Sequence, residues 1–261
     1  DQSDALVRAA DTAMYSAKER GRNCYEFFTP MMLTKAMRFM ALNHDLHRGF
    51  KAGELCLLYQ PQVSLKNGSI IGLEALIRWN HPHKGLLGAS EIIPVAEDSG
   101  LIIEIGDWVL RETCRQLQEW QSQGVALVPV AVNVSAMHIK KLQFCQNIAA
   151  IMHACGISAD LLEIEITESV LQSEDSCIST LDQLQDLGIV IAIDDFGTGY
   201  SCLSSLKLLP INKLKIDKAF IQGLPTDKND VAITESIIAI AKTLDMRVIA
   251  EGVETAAQLA F

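Results

Sequence analysis

The stretch Gly188–Tyr200, GIVIAIDDFGTGY, runs five apolar or small residues, Ile189 to Ile193, directly into two adjacent carboxylates, Asp194 and Asp195. A short continuous apolar run bounded by turn signals predicts a strand buried on both faces, as in a parallel sheet. Gly197 and Gly199 follow in a loop. The two acids therefore stand at the carboxyl end of the strand, where α/β folds place their chemistry. Adjacent carboxylates repel, so the pair calls for a cation close by.

On either side of this stretch the pattern repeats. Strands are predicted at Leu55–Gln60, Ser69–Trp79, Val128–Ser135, Leu161–Thr167, Ile211–Asp217 and Met246–Val253. Amphipathic stretches lie between most of them: Ile102–Gln123, Leu142–Cys155, Ile178–Leu187 and Val231–Leu244. Trp108, Val109, Leu117 and Trp120 fall on one face of the first. Strand alternating with helix at roughly 20–35-residue spacing predicts a parallel sheet. Either an open doubly wound sheet or most of a (β/α)₈ barrel satisfies it. Neither GxGxxG after the first strand nor GxxxxGK[ST] occurs, so a nucleotide-binding fold has no support.

Composition agrees. The hydrophobic share is 49% of 261 residues and aromatics only 6%, an aliphatic bias suited to helices packed on a parallel sheet. A formal net charge of -10 argues against binding DNA or RNA backbone. It leaves room for an anionic ligand where divalent metals invert the local field. The seven cysteines are scattered without CxxC spacing, which predicts reduced thiols in a cytoplasmic protein rather than a disulfide framework or zinc site. No membrane span or signal peptide is read. The first residue is Asp, which suggests a piece of something longer.

Polar residues recur at the strand ends. Glu74 and Arg78 follow one apolar run, Asn133 another, Glu163 and Glu165 a third. Lys215 and Asp217 share a face, Glu251 and Glu254 close the last strand, and Glu168 lies just beyond Glu165. A single buried acid is most simply an ion pair, but one Arg and one Lys cannot neutralise this set. Convergence on metal is the economical account. Hard oxygen ligands without His or Cys favour Mg²⁺ or Mn²⁺ over zinc. More than four ligands would suit two metals about 4 Å apart, an arrangement used to activate water against phosphoesters. Lys215 could hold that water and Glu251 take its proton. An enolising barrel enzyme with Lys and Mg²⁺ is the other reading. His81 and His83 are read as a loop pair outside the ligand set.

The runs YQPQVSL (59–65), EALIRWNHP (74–82), VNVS (132–135), EIEITES (163–169), DDFGTGYS (194–201), LKIDKAF (214–220) and IAEGVET (249–255) resemble, in order and spacing, the EAL domain of bacterial cyclic di-GMP phosphodiesterases. The resemblance runs from about Leu46 to the chain end. It implies a TIM-like (β/α)₈ barrel with its first strand antiparallel, and Mg²⁺- or Mn²⁺-dependent opening of cyclic di-GMP to linear pGpG. It implies two metal ions held by Glu74, Asn133, Glu165, Asp194, Asp195 and Glu251. Glu251 would also be the base and Lys215 would orient the water. Gln60, Arg78 and Asp217 would serve the substrate. Glu168 would anchor the loop of Gly197 and Gly199, and a homodimer is implied. A non-hydrolysing cyclic di-GMP receptor is the alternative, although such receptors usually lose metal ligands and none is lost here.

The opening ADTAMYSAKERGRNCYEFF (10–28) resembles the last helix and strand of a GGDEF domain, with Gly21 as helix stop and a strand at Cys24–Phe28. The expected organisation is a GGDEF-like tail at 1–29, a linker helix at 30–50 and an EAL domain at 51–261, with further GGDEF and sensory domains upstream. Cys202, Ser205 and the pair Met137–His138 depart from the family's commoner residues. The chain stops after the seventh strand, before the family's eighth strand and its substrate-contacting Gln. The expectation is a truncated barrel of poor activity.

Overall fold

The computed structural model describes residues 2–19, 23–168, 170, 175–198 and 206–261. Gly21, Gly199, Cys202 and Ser205 lie outside the described residues. In chain order the elements begin with α1 (Gln2–Glu19), α2 (Pro30–Lys51), β1 (Leu55–Val63), β2 (Ile70–His81), β3 (Gly85–Leu87), α3 (Ala89–Ser99) and α4 (Ile102–Ser122). They continue with β4 (Val130–Asn133), α5 (Ala136–Ile139), α6 (Phe144–Cys155), β5 (Leu162–Thr167), α7 (Asp175–Asp186) and β6 (Val190–Phe196). The last are β7 (Lys213–Ile216), α8 (Lys218–Ile221), α9 (Lys228–Thr243), β8 (Arg247–Ala250) and α10 (Ala256–Ala260).

Two compact units emerge, residues 1–55 with 79–101, and residues 56–78 with 102–261. In the first, α2 starts on Pro30, whose missing N–H costs nothing at a helix start. Its Leu46 and Gly49 are buried. Gly49 is needed for close approach: a Cβ there would come within 2.7 Å of the Trp79 indole nitrogen. That nitrogen donates to Glu54 Oε2 at 2.9 Å. β3 pairs antiparallel with the end of β2, Trp79 opposite Leu87. Two expectations are corrected here. Cys24–Phe28 is not a strand, and Tyr25 and Phe27 are largely exposed: β propensity without a partner strand makes no sheet. His81 is not a loop residue but the buried end of β2, 3.4 Å from Asp45 Oδ2.

In the second unit the strands follow the order β1-β2-β4-β5-β6-β7-β8. β1 lies antiparallel at one edge, and the ladders from β2 through β8 are parallel. This is the α/β arrangement expected of most of a (β/α)₈ barrel. A ladder from β8 back to β1, which would close a barrel, is not among the described pairings. Val130–Val132, Leu162–Ile166, Ile191–Ile193 and Lys213–Ile216 are buried throughout, so these strands are covered on both faces. α4 packs through Ile105, Val109, Leu110, Cys114 and Leu117. Trp120 is half-buried, its ring edge-on to Tyr59 at 5.0 Å. The six described cysteines form no disulfide. No helix among the described residues is long and apolar enough to cross a membrane.

Register decides what the carboxyl ends can build. Glu165 lies opposite both Asn133 and Ala192, and Ala192 lies opposite Lys213. Residues in register share a face, so the short side chain of Ala192 leaves side chains of β5 and β7 free to meet across β6.

Candidate active site and metal centre

Lys215, on β7, is the centre of the site. Its ammonium is 1% exposed and touches four carboxylates: Glu165 Oε2 and Glu251 Oε1 at 2.7 Å each, Asp194 Oδ1 at 3.1 Å and Glu74 Oε2 at 3.3 Å. These acids come from β2, β5 and β6 and from the residue that follows β8. Asn133, ending β4, donates its amide to Glu74 Oε1 at 2.8 Å. The strand ends expected to converge thus do so, and the cation demanded by Asp194 includes Lys215.

One ammonium does not balance this set. Burial, then Glu74 and Asp194, push the Glu165 carboxyl up to about 8 against the pull of Lys215. Glu165 is fully buried, and its Oε1 has no hydrogen-bond partner. Burial also raises Glu251, and Asp194 and Glu74 add to the effect. Burial works against the charged form of Lys215, but Glu165, Asp194, Glu74 and Glu251 outweigh it and hold the ammonium far above its ordinary value.

Asp195 stands beside this cluster. Its φ of 53° is left-handed, a conformation costly for a non-glycine residue that is found at constrained sites. Its own N–H donates to Asp194 Oδ1 at 3.0 Å. Burial, then Asp194, then a hydrogen bond with Asp217 push its carboxyl up to about 6. Carboxylate oxygens of Asp194, Asp195 and Glu251 all lie within 4.8 Å of one another, close enough to share a metal ion. Asp217 also caps α8, its Oδ1 accepting from Ala219 N at 2.7 Å.

The remaining expected residues fall around this centre. The N–H of Gly197 (φ +97°) donates to Oε2 of the buried Glu168 at 3.1 Å. Arg78 is half-buried and donates Nη1 to its neighbour Ile77 O at 2.8 Å. No described acid pairs with it, which leaves its guanidinium available. Gln60 is exposed on β1.

One pair was half-read in the sequence. Glu163, which the family resemblance leaves outside the ligand set, forms a buried ion pair with Lys213. The signal was available: Lys213 and Lys215 repeat on β7 the period-two spacing of Glu163 and Glu165 on β5.

Comparison with known proteins identifies the family. A family model described as EAL domain matches residues 43–261. The chain is 44% identical over 98% of its length to the bifunctional diguanylate cyclase/cyclic di-GMP phosphodiesterase MucR of Pseudomonas aeruginosa. It is 39% identical over its whole length to the cyclic di-GMP phosphodiesterase NbdA of the same organism. It spans 38% and 34% of these two proteins, little more than a third. A solved structure of the PaMucR phosphodiesterase in complex with c-di-GMP superposes with a TM-score of 0.81 at 42% identity, covering 84% of this chain and 90% of that one. With the EAL tripeptide itself at Glu74–Leu76 and its acid drawn into the lysine-centred cluster, the chain belongs to the EAL domain family.

Proposed function

We propose that this chain hydrolyses cyclic di-GMP to linear pGpG with the help of two divalent ions, Mg²⁺ or Mn²⁺, in bacterial second-messenger signalling. The observation that carries the reading is the convergence of Glu74, Glu165, Asp194 and Glu251 on one buried lysine, with Asn133 and Asp195 beside them. The relatives that are named cyclic di-GMP phosphodiesterases support the substrate.

The donor set fits the ions. It offers acceptor-only carboxylates and one amide oxygen, hard ligands of the kind Mg²⁺ and Mn²⁺ take. The unpartnered, buried Glu165 Oε1 is an acceptor that a cation would satisfy. Glu74, Asn133, Glu165, Asp194, Asp195 and Glu251 would hold the ions. Bound there, they would supply Lewis acidity at a phosphoryl oxygen.

The chain's own residues supply the rest. Lys215, always charged among its acids, donates to the attacking water and orients it toward phosphorus. Glu251 takes the water's proton, and burial, which raises its pKa, suits it to that task. The P–O bond to a ribose 3′-oxygen breaks as the P–O bond to water forms; the 3′-oxygen leaves, takes up a proton from solvent to become a hydroxyl, and a 5′-phosphate stays on the product. Arg78 offers a guanidinium to a phosphate, and Gln60 and Asp217 flank the substrate. Glu168 fixes the loop that begins at Gly197. A homodimer, a cytoplasmic setting and upstream GGDEF and sensory domains complete the proposal, with residues 1–29 as a GGDEF-like tail and 30–50 as its linker helix.

Incubation of the chain with cyclic di-GMP and Mn²⁺, followed by chromatography, tests the reading. The expected result is pGpG, abolished by EDTA. Cyclic di-GMP bound but never opened, under any divalent ion, would overturn it.

A further inference from the structure

Asp107, in the second turn of α4, is a side-chain hub that the reaction scheme leaves unused. Its carboxylate is 14% exposed. Oδ1 accepts from His138 Nε2 at 2.9 Å and from Asn147 Nδ2 at 2.7 Å, and Oδ2 accepts from Lys141 Nζ at 2.8 Å. One acid thereby ties α4 to α5, to the link behind α5 and to α6. Burial opposes its charge, but Lys141 and His138 outweigh burial and hold its carboxyl below the ordinary range.

His138 is the least conventional member. It is 1% exposed, with its ring edge-on to Phe144 at 4.8 Å. Burial lowers its pKa against the pull of Asp107, and the acceptor-only carboxylate calls for a proton on Nε2. The fit is close: a Cβ at Gly106 would come within 2.3 Å of His138 Nδ1.

The hub lies just behind Asn133. The Asn133 side chain is exposed, so packing does not fix it; its amide meets Glu74. Its backbone is held on one side by the ladder to β5, where Val134 N donates to Glu165 O at 2.8 Å. On the other side Ser135 caps α5, its Oγ accepting from His138 N at 3.2 Å. The turn that aims Asn133 is therefore clamped at the cap and at His138.

We propose that Asp107 and His138 are positioning residues that fix the Asn133 amide for metal ligation, acting through the Ser135-capped turn. The inference rests on the ligand role of Asn133 proposed above. Residues that orient a metal ligand typically change affinity about 10- to 100-fold, and a clamp one step further back belongs at the lower end of that range.

The test is a Mn²⁺ titration followed by electron paramagnetic resonance, on the whole chain and on Asp107→Asn, His138→Ala, His138→Gln and Asn133→Ala. Ile151→Val, which loosens the buried face of α6 one turn beyond Asn147 without removing a hub hydrogen bond, serves as the packing control. Asp107→Asn and His138→Ala are expected to weaken Mn²⁺ about tenfold, approaching Asn133→Ala. His138→Gln, which keeps a donor at similar reach, should restore wild-type affinity, and Ile151→Val should not change it. Folded Asp107→Asn and His138→Ala proteins with wild-type affinity, beside a weakened Asn133→Ala, would overturn the positioning role. A silent Asn133→Ala would instead overturn the ligand role of Asn133, and the positioning role with it.

Discussion

Two ion pairs are stacked on the same two strands. Glu163 with Lys213 and Glu165 with Lys215 link β5 to β7 across β6, two residues apart along each strand. The lower pair is balanced in charge, one acid to one base, with both side chains nearly out of solvent, although Glu163 Oε1, like Glu165 Oε1, has no hydrogen-bond partner. The upper lysine is shared among four acids. Burial is common to both layers and so does not mark function. Imbalance does: a balanced buried pair is a structural element, whereas excess buried carboxylate stores a demand for cations.

The largest expected effect breaks the upper layer. Lys215→Met should lower kcat about 10³-fold, within the range for groups that handle a proton or its water. The measurement is pGpG release at saturating Mn²⁺, and activity within tenfold of wild type would erase the contrast. In the lower layer, Glu163→Gln alone should cost about 3–5 kcal/mol in urea denaturation by stranding a buried ammonium. Glu163→Gln with Lys213→Met should recover most of that loss and keep turnover. If the double variant were as unstable as the single, the lower layer would not be a balanced pair.

Smaller effects sharpen the comparison at its margins. Gly197→Ala should lose about 1–2 kcal/mol, because a left-handed φ strains any L side chain. Its Cβ would also sit 3.0 Å from Phe220. Differential scanning calorimetry reads this, and an unchanged melting point would mean that the loop start relaxes freely. Asp107 is a third kind of acid, amply supplied with donors. Its folded pKa is lowered, so its contribution is present above the ordinary carboxylate pKa and is lost as pH falls through the folded value. Asp107→Asn should therefore flatten the acid limb of stability against pH, and an unaltered limb would remove Asp107 from the acid response.

Much of this was legible in the sequence because buried parallel strands leave continuous apolar runs. Val190–Phe196 and Leu162–Thr167 sit within a residue or two of their expected bounds. The convergence of Glu165, Asp194 and Glu251 followed from strand-end position, whereas Glu74 lies within β2 and was marked by its charge in an apolar run. β3 escaped because three residues after a turn carry no periodicity, and Cys24–Phe28 misled because aromatic propensity says nothing about a partner strand. The left-handed backbone of Asp195 and the Asp107 hub depend on tertiary contacts that no local pattern records.

Ala192 has a consequence of its own. Lying in register with Glu165 on one side and Lys213 on the other, it is the low step over which both charge layers reach. The backbone ladder sets how far β5 stands from β7, and a methyl at the step between them leaves the space above β6 open. Position 192 works as clearance: a larger side chain there would stand in the path along which the acids of β5 reach the lysines of β7.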